Sequence, residues 1–83
     1  MTVIECRSSW IRRLLYVPLD EHTKIKNADG FLLVVSQTGA SYAYAVPKWV
    51  PGLMAASKSK GRAYGKLVRG KFPSVQFDYK EMQ

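Results

Sequence analysis

The sequence predicts a small α+β fold: an antiparallel sheet of three to five strands packed with two short helices in the second half of the chain. Three observations carry this. Segments rich in β-branched and aromatic residues alternate with turn chemistry as far as Val46, apolar residues then recur at helical spacing after Pro47, and Val75, Phe77 and Tyr79 return to a two-residue period. With 83 residues, 47% of them hydrophobic and 23% charged, the chain has material for one modest core, so residues 1–83 are read as a single domain.

Thr2 to Cys6 and Trp10 to Val17 read as strands, the second ended by Pro18. Leu19 to Gly30 is polar and closes on the turn-forming Asn27-Ala28-Asp29-Gly30, so it reads as a solvated connection. Phe31 to Val35 is apolar at every position and too short for a stable helix, which places it at the sheet centre. Ser36-Gln37-Thr38-Gly39 supplies a hairpin turn, and Ser41 to Val46 returns as the antiparallel mate. In that mate Tyr42, Tyr44 and Val46 share one face. Ser41, Ala43 and Ala45 share the other, and their small size predicts a helix lying against them.

Pro47 suits a first helical position, and Trp49, Val50, Leu53 and Met54 predict a helix to about Ala56, with Pro51 tolerable only inside the first turn. Ser57 or Ser59 caps a second helix with Ala63, Tyr64, Leu67 and Val68 inward and Arg62, Lys66 and Arg69 outward, stopped by Gly70 and Pro73. Residues 74–83 read as a closing edge strand and tail.

The single cysteine, Cys6, allows no internal disulfide, which makes the reducing cytoplasm the expected compartment; the longest apolar run, Phe31 to Val35, is far below the roughly 18 residues of a membrane span. No membrane partner, cofactor or metal is expected. The net charge is +7, and it is unevenly placed. Through Pro47, Arg7, Arg12, Arg13, Lys24 and Lys26 nearly cancel Glu5, Asp20, Glu21 and Asp29. From Lys48 to Lys71 there are seven cations and no carboxylate, and the tail, with Asp78, Lys80 and Glu81, is mildly acidic.

The stretch Ser57 to Pro73 (Ser-Lys-Ser-Lys-Gly-Arg-Ala-Tyr-Gly-Lys-Leu-Val-Arg-Gly-Lys-Phe-Pro) is similar to the hallmark of the KTSC domain family. That family is named for an extension at the C-terminus of some lysyl-tRNA synthetases and also occurs as short stand-alone bacterial and phage proteins. Ser8-Ser9 followed by Ile11, Leu14 and Tyr16, the Tyr42-Ala43-Tyr44 triplet and Val46-Pro47 extend the resemblance over residues 8–73. Leu15, Val17 and Gly65 depart from the family's usual Gly, Asp and Asn, and the connection before Gly30 is longer than its norm. The resemblance implies no catalytic activity; RNA binding is what it suggests.

Cations without acidic neighbours neutralise phosphates and release counterions, so Lys58, Lys60, Arg62, Lys66, Arg69 and Lys71 are the candidate nucleic-acid contacts. The alternative is a solvated helix face. Gly61, Gly65 and Gly70 either let backbone approach a phosphate or, for Gly70, simply end a helix. Tyr42 and Tyr44 are either a stacking platform for unpaired bases, joined by Trp10 and Arg12, or core residues packed on Trp49 or Tyr64. The Gly61 to Lys66 stretch is one residue short of a phosphate-binding loop and lacks its hydroxyl, which argues against nucleotide hydrolysis. His22 reads as a surface residue, Cys6 as a small buried hydrophobe, and Ser59 as a helix cap between two lysines. With no catalytic constellation, the expectation is a non-enzymatic nucleic-acid-binding module, RNA ahead of DNA, as a monomer or homodimer. The competing expectation is a small protein-interaction module, a phage-like modulator docking on an acidic surface of a larger host enzyme through Trp49, Met54 and the edge strand.

Overall fold

The computed structural model describes residues 2–78. Five strands form one antiparallel sheet in sequence order, β1 (Thr2–Ile4), β2 (Ile11–Pro18), β3 (Gly30–Ser36), β4 (Ala40–Val46) and β5 (Ser74–Asp78), with α1 (Trp49–Ala56) and α2 (Lys60–Leu67) between β4 and β5. This is the predicted α+β architecture, with Phe31 to Val35 on the central strand. β1 is shorter than predicted, since Glu5 and Cys6 leave the ladder. Tyr79 and Lys80, predicted to continue β5, lie outside the described residues.

Local chemistry explains the punctuation. Gly39 takes φ 96° in the β3–β4 hairpin and its N–H donates to the Ser36 carbonyl at 3.1 Å. In the β2–β3 connection the Asp20 carboxylate accepts from the backbone N–H groups of His22 (2.9 Å) and Thr23 (2.7 Å), and the Thr23 side-chain and backbone donors together with His22 hold its acid below the usual range. Asp29 ties this connection to the start of α1, its carboxylate accepting from the Lys48 backbone N–H at 2.8 Å. Pro51 falls at the third residue of α1, within the first turn, where a missing N–H costs no intrahelical bond. Ser59 is the α2 cap, its Oγ accepting from the Arg62 N–H at 3.4 Å. Gly70 turns the chain out of α2 at φ 73°.

The core lies on one face of the sheet. Ile4, Ile11, Leu14, Leu32, Val34, Tyr44 and Val46 meet Val50 and Met54 of α1 and Ala63, Tyr64 and Val68 from the second helical segment, with Cys6 packed partly buried at its margin. The predicted stripe of α2 is therefore the buried one. The predicted orientation of β4 is not: both helices cover the Tyr42, Tyr44, Val46 face, and the Ser41, Ala43, Ala45 face carries no helix among the described residues. The reason is reach. The Tyr44 ring spans the gap to α2 and meets Tyr64, which small side chains on a flat surface do not do. On the opposite face an apolar row runs across all five strands through Val3, Leu15, Leu33, Ala43 and Val75. Among the described residues no helix is long and apolar enough to cross a membrane.

Candidate functional site

The sheet and the helical pair bring cations together at one end of the molecule. Arg7 follows β1, Arg12 and Arg13 stand on β2, and Lys58 and Lys60 come from the junction of the two helices. All five line one open cleft of ≈600 Å³ with Val3, Ile4, Glu5, Cys6 and Leu14. On a regular strand neighbouring side chains point to opposite faces; here a register shift between Ile11 and Arg13 breaks the alternation, and Arg12 and Arg13 both reach the cleft. A smaller, adjoining cleft of ≈340 Å³ shares Arg7 and adds Arg62, Ser8, Ser9, Trp10, Ser59 and Gly61. Among the described residues Glu5 is the one carboxylate lining either.

From this end the charge continues along α2. Arg62 and Lys66, four apart on α2, are both exposed and share its outward face; Arg69 and Lys71 are exposed in the turn that follows the helix. Lys58, Arg62, Lys66, Arg69 and Lys71 form no ion pair with a carboxylate among the described residues. Lys60 differs. It is half-buried, and its ammonium donates to the carbonyls of Ala55 (2.9 Å) and Ser57, closing the C-terminal end of α1, so it is a capping residue first and a phosphate contact at most second.

The tyrosines divide. Tyr44 is 5% exposed, its hydroxyl hydrogen-bonded to that of Tyr64, with ring centroids 5.7 Å apart at 72°. It takes the core alternative and offers no face to a base. Tyr42 is half-buried beside it, 6.5 Å away. The predicted packing partner is Tyr64 and not Trp49, which stands outside on Phe72. Trp10, 39% exposed, lies edge-on to Tyr64 at 5.0 Å and against Gly61, where an added Cβ would sit 2.9 Å from the indole nitrogen. The close approach of the indole by itself accounts for a glycine at position 61. Met54, expected to offer an apolar contact to a partner, is fully buried.

The buried hydroxyl pair makes a prediction. Tyr44→Phe leaves the Tyr64 hydroxyl without its partner and costs about 1–2 kcal/mol in urea unfolding, whereas the double change to Phe costs less than the sum of the singles. Burial first, then the Tyr64 bond, raises the Tyr44 pKa above its ordinary 10. A group raised in the folded state favours folding fully below about pH 10. That contribution is lost as pH climbs toward the folded value, so alkaline destabilisation weakens in Tyr44→Phe.

His22 is exposed, 3.4 Å from the Glu21 carboxylate, and no cluster of metal-ligating side chains occurs among the described residues. Burial raises the Cys6 thiol pKa, with Lys60 opposing it weakly, the reverse of what thiolate chemistry needs. Reading the sequence missed Arg7 and Arg13 and named Arg12 only beside Trp10 in a stacking platform, because their charge was averaged with that of Asp20, Glu21 and Asp29. Those acids sit in the β2–β3 connection, around a separate depression. The signal was present: up to Val17 the chain has three arginines and only Glu5 against them.

No protein-family model matches this chain, and no curated protein matches it.

Proposed function

We propose that this protein is a nucleic-acid-binding module of the KTSC type, RNA ahead of DNA, that acts in the cytoplasm by holding its ligand and not by transforming it. One observation supports the reading above the others: cations from three separated stretches of chain line a single cleft, and the α2 stripe extends from it. Such a surface focuses a positive field, raises the encounter rate with polyanions and offers each phosphate a mobile cation. Guanidinium groups, which predominate in the cleft, add bidentate geometry to that charge. The preference for RNA follows from the resemblance over residues 8–73.

The test is a fluorescence-anisotropy titration of the whole protein with short RNA and DNA strands at several salt concentrations. With four to six phosphate contacts the log–log slope of affinity against salt is about −3 to −5. A flat response, or no binding at low salt, overturns the reading.

A further inference from the structure

We propose that the ligand of this surface is single-stranded and that Trp49 is the platform on which one of its bases stacks; the inference rests on the nucleic-acid reading above and narrows its substrate class. Trp49 opens α1 and is 51% exposed, although an indole is among the side chains with most to gain from burial. Its edge-on partner Phe72, with centroids 6.2 Å apart at 61°, holds it from one side and leaves the other in solvent. Leu53, one turn along the same helix, is 50% exposed and extends the apolar shelf.

Cations adjoin this shelf along the chain. Lys48 precedes Trp49, Lys71 precedes Phe72, and both lysines are exposed with no ion pair among the described residues. The Trp49–Phe72 contact sets the beginning of α1 beside the turn that follows α2. Arg62 and Lys66 on a helix about 12 Å long, followed by Arg69 in the turn beyond it, therefore lead from the arginine cleft toward the indole. A cationic track that ends on an aromatic face, next to two exposed lysines in the chain, complements a ligand with phosphates along one side and a free π-surface at one position. A duplex hides its base faces within the stack and has nothing to offer the ring; an unpaired strand does. The sheet tyrosines do not compete for this role, since Tyr44 is buried and Tyr42 half-buried on the helix-covered side.

The experiment compares the full chain with Trp49→Ala and Trp49→Phe on three probes at one salt concentration: oligouridylate and oligothymidylate of about ten nucleotides, and a duplex of the same length. Trp49→Ala weakens both single strands about tenfold, Trp49→Phe stays within about threefold, and neither changes duplex affinity. The Trp49 fluorescence, taken as the difference between the full chain and Trp49→Phe, is quenched by the single strands and not by the duplex. Equal loss on the duplex, or single-strand affinity untouched by Trp49→Ala, overturns the stacking proposal while leaving phosphate binding intact; the latter result would return the Trp49–Leu53 shelf to a protein partner. Failure to bind any of the three probes overturns the nucleic-acid reading itself.

Discussion

Replacing Arg7, Arg12 and Lys58 together by alanine lowers affinity for a short single strand about 100-fold at 0.1 M salt and makes the salt slope about 2 units shallower. The size follows from counterion release. Each phosphate contact on a single strand contributes roughly 0.7 of a power of salt concentration, about fivefold at 0.1 M, and three contacts multiply. All three side chains are exposed on the rim of one cleft, so the variant keeps its fold, and an unchanged circular dichroism spectrum and melting temperature verify that. The control is Lys24→Ala with Lys26→Ala, compared per charge removed. It removes two positive charges from the β2–β3 connection, away from the cleft, and changes affinity less than about threefold through the long-range field alone. Equal losses from the two variants would mean that net charge, and not the cleft, attracts the ligand. Loss of the same increment from every oligonucleotide identifies phosphate contacts, because a base contact would discriminate among sequences.

Gly30→Ala is the most damaging single substitution expected on structural grounds, costing about 2–3 kcal/mol and lowering the melting temperature by about 10 °C or more. Gly30 begins the central strand, opposite Pro18 of β2 and Val46 of β4. A Cβ there would lie 2.6 Å from the Tyr16 ring and 2.6 Å from the Val17 carbonyl oxygen. Tyr16 is half-buried, and its ring has somewhere to swing. The carbonyl is backbone of β2, at a position paired with Phe31 of β3, and does not. Relief must come from shifting β2 against β3, which disturbs the register that puts Leu14 and Val34 in the core. Thermal unfolding measures the loss, and removing the ring with Tyr16→Ala restores only part of it, since the backbone clash remains. An unchanged melting temperature for Gly30→Ala would show that the strands separate more readily than this packing implies.

The elements themselves were legible because each rests on local chemistry. Pro18 and Gly39 bound strands, Ser59 caps α2, Gly70 ends the helical segment, and the unbroken apolar run from Phe31 to Val35 marks the strand paired on both sides. The inward stripe of α2 was readable for the same reason, since helical spacing alone groups Ala63, Tyr64, Leu67 and Val68. The face of β4 that the helices cover was not readable. A two-residue period separates Tyr42 and Tyr44 from Ala43 and Ala45, but it does not say which set faces a helix arriving from residues distant in the chain. The Tyr44–Tyr64 contact made that choice, by a reach across 20 positions of sequence.

The candidate site divides the same way. Residue order alone determined that residues 48–71 carry seven cations and no carboxylate, and helix periodicity turned Arg62 and Lys66 outward, because both are properties of near neighbours. Only the tertiary structure decided that Arg7, Arg12 and Arg13 join Lys58, that Lys60 is drawn aside to close α1, and that Trp49 and not Tyr44 stands in solvent. Charge acts through space over several ångströms, whereas a count along the chain averages over sequence. The pairing of β1 with β2 and the folding back of the helical junction brought those cations together, and neither is a local property of the residues concerned.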